Sequence, residues 1–531
     1  MANASVLGRV FQRKPVELIQ AETRHTELKR SLGALNLILL GIGCIIGTGI
    51  FVLTGHAAAE WAGPGIMISF VITGVLCGLV ALCYAELASA LPVSGSAYSY
   101  SYASTGEIVA WIMGVLLLLE YGLAASTVAV GWSGYLVSLL QDLHINIPVA
   151  LQGAWGSPVK DSVTGAVIGH GVVNLPAVIG VAAVTTLLIV GVSESATANN
   201  IIVAIKVTVV VAFIAIGAFY VKTSLWSPLI PAQVPAPPPG AATDIWHQIG
   251  AALLDIVTGK KSAHFGVVGV IHGAAQIFFA YIGFEAVSTA GAESKNPARD
   301  MPIGILGSLI ICTLLYIATC AVLVGIVPYA QLDGPAPIAY AVNHIGITWF
   351  AELVKLGAIA GLTSVMLVLL YGQTRIFYTM SHDGLLPSPL AAVHKRFKTP
   401  WINTIIVGVA AASCAGFLSL ETLSDVTNVG TLAAFTIVCG TVIYLRITHK
   451  SMARPFRTPL YPVVPILGIV MCVILLMSLM AVPATKHFFL IYMAGGVVVY
   501  FLYGLWNSKL GRGLATAPDA LAPMAAPHPE P

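Results

Sequence analysis

The run Gly41-Ile42-Gly43-Cys44-Ile45-Ile46-Gly47-Thr48-Gly49-Ile50-Phe51 crowds four glycines into nine residues of an otherwise apolar stretch. In a continuous helix each would cost roughly 1 kcal/mol relative to alanine. A helix that breaks at Gly47-Thr48-Gly49 instead leaves free N–H groups at the start of its second half, and such a helix end suits an anion. Close packing of helices through small residues accounts for the glycines but poorly for their crowding. A nucleotide fingerprint is excluded, because the spacing is G-x-G-x-x-x-G and no strand precedes it. A second interrupted stretch, Ile277-Phe278-Phe279-Ala280-Tyr281-Ile282-Gly283-Phe284-Glu285, sets a carboxyl group just after a glycine and a run of aromatics. Glu120, Lys206 and Glu285 are the ionisable side chains deep within apolar stretches, where each must find a partner or water. For Glu285 a helix-starting role competes with a titrating gate or substrate contact. Glu120 is equally open between a hydrogen-bonded structural role and a coupling role, and Lys206 between a fixed structural charge and a functional one.

These residues are positioned by helices in lipid. Of the 531 residues, 57% are apolar and 9% charged, and the mean hydropathy is +0.90, far beyond what a soluble core requires. Twelve stretches long enough to cross a bilayer core of about 30 Å fall near 33–60, 64–91, 107–140, 173–192, 196–220, 266–290, 302–327, 348–378, 401–419, 425–447, 465–484 and 487–507. The alternation of a β-barrel is absent, so the fold class expected is an all-α polytopic membrane protein. No short apolar leader with a small-residue cleavage site opens the chain, so the first helix is expected to be retained. All eight cysteines fall inside apolar spans, which suggests neither disulfides nor a metal site. With the N-terminus inside, eighteen Lys and Arg fall on the inner side and six on the outer. That asymmetry places both termini, the 291–301 loop and the 379–400 loop in the cytoplasm of a cell whose inner membrane holds the protein. Motifs for zinc peptidase, serine hydrolase or ATP-driven chemistry are missing, which argues against an enzyme and against any cofactor. The net charge of +3 follows topology and carries no implication of nucleic acid.

The two breaks open two sets of five spans, the pattern of an inverted repeat with a binding site at the membrane midplane. The expected organisation is a polar segment 1–32, a first repeat 33–220, an outer loop 221–265, a second repeat 266–447, two further helices in 448–507 and a tail 508–531. The five prolines of 231–240 predict an extended surface loop, and the Ala- and Pro-rich tail from Leu514 predicts disorder. Tyr98, Tyr100 and Tyr102, after the second span, suit an interfacial belt. His56 and His272 are expected to be packing or water-contact residues, and Glu86 and Arg375 to snorkel or to pair at inner helix ends.

The motif G-x-G-x-x-x-G-T-G-I-F, the run F-F-A-Y-I-G-F-E-A-V-S-T and the loop Glu293-Ser294-Lys295-Asn296-Pro297-Ala298-Arg299-Asp300-Met301-Pro302 together resemble the amino acid-polyamine-organocation superfamily. Among its branches the chain is most similar to bacterial relatives of the cationic amino acid transporters, over roughly residues 25–505. The resemblance implies an inverted-repeat core of ten helices with two added. It implies that the substrate α-carboxylate meets Gly47, Thr48 and Gly49, and that its ammonium meets carbonyls of Ile45, Phe279 and Ile282, with Ala280 beside them. It also implies that Lys206 stands where sodium-coupled relatives hold sodium, donating to carbonyls near Gly43 and to a hydroxyl such as Thr363 or Ser364. The function so expected is sodium-independent, proton-coupled import of neutral or cationic amino acids by alternating access. An obligate exchanger and a non-transporting sensor are the alternatives.

Overall fold

A computed structural model describes residues 6–15, 31–93, 95–161, 166–191, 196–235, 245–258, 264–397 and 399–513. Among them, nine helices are long and apolar enough to cross a membrane, and three shorter apolar ones accompany them. They correspond to the twelve expected spans, numbered here in chain order. The first is split into Ala34–Ile45 and the stretch 49–62, which turns at Gly63 (φ +58°) into the second, Ile66–Ala90. The third is Glu107–Asp142, the fourth Leu175–Val190 and the fifth Ala196–Gly217. The sixth, Gly266–Glu293, loses regular helix geometry midway. Next come Pro297–Ile326, Thr348–His382, Trp401–Phe417, Leu420–Thr448, Val463–Met480 and finally Pro483–Asn507. An all-α polytopic membrane architecture is what these elements make. The one described sheet is a two-stranded hairpin, Pro158–Lys160 with Val167–His170, in the connection between the third and fourth spans.

Small residues bring the spans together. A Cβ on Gly41 would lie 2.4 Å from Ser308 Oγ, and one on Gly304 2.7 Å from Leu37 Cβ, so the first and seventh spans touch almost backbone to backbone. The seventh span packs along both the first and the second, and the eighth along the third. Helix ends are satisfied locally. Asn174 caps the fourth span by accepting from the Ala177 N–H, and Ser419 caps the tenth by accepting from that of Thr422.

Three expectations need correction. Tyr98, Tyr100 and Tyr102 are buried in a short helix, Ser96–Ser104, and form no interfacial belt. Protein partners hold two of their hydroxyls: Tyr98 donates to Asp383 and Tyr102 to Glu107. The connection 221–265, expected as a loop, contains the helix Ile245–Thr258; residues 236–244 and the tail from Leu514 lie outside the described residues. Lys355, counted as an outer charge, sits inside the eighth span, buried and paired with Asp142 of the third at 2.5 Å.

Candidate substrate and coupling site

The break in the first span has a definite backbone cause. Ile46 adopts an extended conformation (ψ 96°), and its N–H, bonded to Ile42 O at 3.0 Å, closes the first half. Phe51 N–H reaches Gly47 O at 3.3 Å and begins the second half. The N–H groups of Gly47, Thr48 and Gly49 between them have no preceding turn to donate to. Ile45 O points away from its own helix and accepts from the Tyr316 hydroxyl at 2.7 Å. Thr54 Oγ1 and Tyr135 hold the second half by bonding Gly49 O and Phe51 O.

The sixth span breaks opposite. Phe278–Tyr281 is a tight turn, Ile282 is extended and Gly283 has φ +124°. A Cβ on Gly283 would approach Cys44 C to 2.8 Å, and one on Gly49 would come within 2.2 Å of Ala280 Cα. The two breaks therefore pack directly on each other, with Gly49 and Ala280 as the contact. Glu285 caps the distorted segment: its carboxylate accepts from the Gly283 N–H at 3.1 and 2.8 Å.

A narrow cavity with room for about one water molecule opens between the breaks. Cys44, Ile45, Gly47, Thr48 and Gly49 line it from the first span, and Phe279 and Ile282 from the sixth. Its other walls are Ala124 and Val128 of the third span and Val365 and Leu369 of the eighth. No charged side chain lines it. Thr48 Oγ1 is buried, and no described residue hydrogen-bonds it. Of the expected binding residues, Ala280 alone stands off the cavity, behind Gly49. Ala124 and Val128 escaped the sequence reading, although their i, i+4 spacing matches that of Val365 and Leu369 across the cavity.

Lys206 lies behind the cavity at zero exposure, and its ammonium donates to Gly43 O at 2.7 Å and Ile46 O at 3.3 Å. Thr363 turns elsewhere, accepting from Trp132 Nε1 and donating to Ile359 O. Ser364 Oγ is buried with no described partner. On the other side, Glu120 and Glu285 are buried side by side. Neither Glu120 oxygen receives a hydrogen bond from an N–H or hydroxyl of a described residue.

Residues 32–502 match the family model described as amino acid permease. The chain belongs to the amino acid permease family. This permease is thus a transporter rather than an enzyme. It is 44% identical over 506 residues, 95% of this chain and all of the relative, to the methylthioribose transporter of Bacillus subtilis. The branched-chain amino acid permease BcaP of the same organism is 43% identical over 507 residues, with the same coverage. A chloroplastic cationic amino acid transporter 9 from Arabidopsis thaliana is 38% identical over 433 residues, 81% of the permease and 68% of the relative.

Proposed function

We propose that the permease imports neutral, apolar L-amino acids with a proton and without sodium, by alternating access. The observation that carries this reading is the chemistry of the cavity. In this reading the positive end of a broken helix receives the carboxylate, carbonyls of the two breaks the ammonium, and the apolar lining the side chain. A cationic side chain would meet no counter-charge among those walls. The branched-chain permease among the relatives favours leucine, isoleucine or valine. In this reading Lys206 supplies the fixed positive charge of a sodium ion, and the Glu120–Glu285 pair takes and releases the proton. The corresponding breaks in the first and sixth spans support an inverted repeat, and the excess of basic residues supports a cytoplasmic N-terminus.

A thermal-unfolding screen of purified protein tests the substrate class, because a ligand that binds only the folded state raises the midpoint. Leucine, isoleucine and valine are expected to raise it, and arginine and 3-methylbutylamine, which is leucine without its carboxylate, to leave it unmoved. Methylthioribose has no carboxylate for the helix end. Stabilisation by methylthioribose and not by leucine would overturn the assignment in favour of the other relative's ligand.

A further inference from the structure

From the cavity walls Ala124 and Val128, the same side of the third span continues to Gly131 and Tyr135. A Cβ on Gly131 would lie 2.7 Å from Thr48 Cγ2, and the Tyr135 hydroxyl donates to Phe51 O at 2.8 Å, so the seam between the first and third spans is closed beyond the cavity. Residues 327–347, which join the seventh span to the eighth, cap this seam. A Cβ on Gly134 of the third span would come within 2.8 Å of Pro335 O, and one on Gly55 of the first within 2.6 Å of both Leu332 O and Pro337 Cβ. Leu332, Ala336 and Ile338 of the cap are buried.

Charges hold the cap from two sides. The Nδ1–H of His56 donates to one oxygen of Asp333 at 2.7 Å, and Lys160 of the hairpin binds the other. Asp333 therefore ties the cap both to the second half of the first span and to the connection between the third and fourth. All three side chains are partly exposed, so their charges answer to the solution on the hairpin face. The other charged groups that reach the imidazole are Glu60 of its own stretch and Glu421 and Asp425 at the start of the tenth span. The sixth span, packed on the same turn, brings His272, whose Nδ1 lies 3.0 Å from Ser478 Oγ. His56 Nε2 has no hydrogen-bond partner among the described residues. Nδ1–H can therefore stay on Asp333 while Nε2 gains or loses a proton, which changes the charge of the ring without breaking the contact.

We propose that His56, Asp333 and Lys160 form a proton-dependent clasp that holds residues 327–347 shut over the cavity. When Nε2 carries a proton, the Asp333 carboxylate bridges two cations, and Glu60 and Glu421 add to the hold on the ring. When Nε2 gives that proton to bulk water on the hairpin face, Lys160 and a neutral hydrogen bond remain, and the cap opens more readily. Acid on this face favours the closed entrance and alkali the open one. One N–H bond breaks or forms, and nothing else. The clasp rests on the alternating-access reading above, and on neither the substrate nor the coupling ion.

Cys44 lines the cavity and serves as a natural reporter of its entrance. The full chain, in vesicles with the hairpin outward, is treated from outside with a membrane-impermeant methanethiosulfonate, and modification of Cys44 is followed by peptide mass spectrometry. The rate is compared at each pH with that of His56→Gln, whose amide can donate to Asp333 but never charges, so the thiol's own pH dependence cancels. At about pH 5 His56→Gln is expected to be modified severalfold faster than wild type, and at about pH 8 the two rates should converge, because an imidazole changes charge between those values. Lys160→Ala should be modified faster than wild type at both. Equal rates in wild type and His56→Gln at acid pH would overturn the clasp, as would a difference of the same size at both pH values or a wild-type rate in Lys160→Ala. Should Cys44 stay unmodified in every variant, the alternating-access reading falls and the clasp with it. Failure to carry leucine while Cys44 follows the expected pattern would fault the substrate reading and leave the clasp standing.

Discussion

Gly47 and Gly49 are two residues apart and chemically identical, yet their surroundings separate their roles. A Cβ on Gly47 would sit 3.5 Å from the Val365 methyls, an ordinary contact inside the cavity, whereas one on Gly49 would enter the Ala280 backbone. Gly47→Ala is therefore expected to fold normally and bind leucine more weakly. Gly49→Ala should destabilise the protein by about 1–3 kcal/mol, the usual cost of overpacking. Thermal unfolding with and without leucine checks both, and equal midpoints for the two variants would contradict the assignment of Gly49 to helix packing. The sequence alone suggested a ligand contact at Gly49 but not its packing against Ala280, because glycine spacing does not reveal which atoms occupy the space a side chain would fill. Outside the spans, Asp333 makes a pH-dependent contribution. Burial opposes its charge, but the hydrogen bonds and charges of His56 and Lys160 prevail and hold its carboxyl down to about 2, below its ordinary value of 3.8. The stability this provides is complete above the ordinary value and is lost as pH falls through about 2. The midpoint of Asp333→Asn should lie below wild type at pH 7, and the difference should shrink as pH falls below 4; a constant difference would contradict it.

At the scale of elements, hydropathy and length made the twelve spans legible; glycine crowding located the first break, and the carboxyl group after Gly283 and its aromatics the second. What remained illegible depends on partners distant in sequence. Lys14 and Asp383 lie 2.9 Å apart and are both nearly buried. Around them the N-terminal segment is woven into the helix ends: Lys14 N–H donates to Tyr102 O, and Glu107 N–H to Gln12 O. No local pattern signals that a basic segment will close over the end of the eighth span, or that three alternate tyrosines will be buried beneath it. This latch joins the segment to the connection between the second and third spans and to the eighth span, elements that must separate if that face is to open. Lys14→Ala is expected to speed modification of a cysteine placed at Tyr98, by severalfold if the ion pair contributes about 1 kcal/mol or more. An unchanged rate would show that the segment is not a latch.

Across the whole molecule, the described residues at the two ends meet on one face, where Arg9 donates to Leu505 O. That meeting fits an even number of spans, and the basic excess would make this face cytoplasmic. Impermeant cysteine labelling of intact cells should then mark position 160 in the hairpin and miss position 295; the reverse pattern would invert the topology. On the reading proposed above, the parts between the faces would divide into an uncharged cavity for the amino acid, a lysine in place of a cation, and a carboxyl pair for the proton. A proton entering under about 100 mV contributes ~2.3 kcal/mol, enough for roughly 50-fold accumulation of a neutral substrate. The most direct test is leucine uptake into vesicles of purified protein, buffered at alkaline pH inside and diluted into acidic medium with or without sodium. Uphill accumulation that follows the pH step and is indifferent to sodium is the result expected, and accumulation that requires sodium and ignores the pH step would contradict the account.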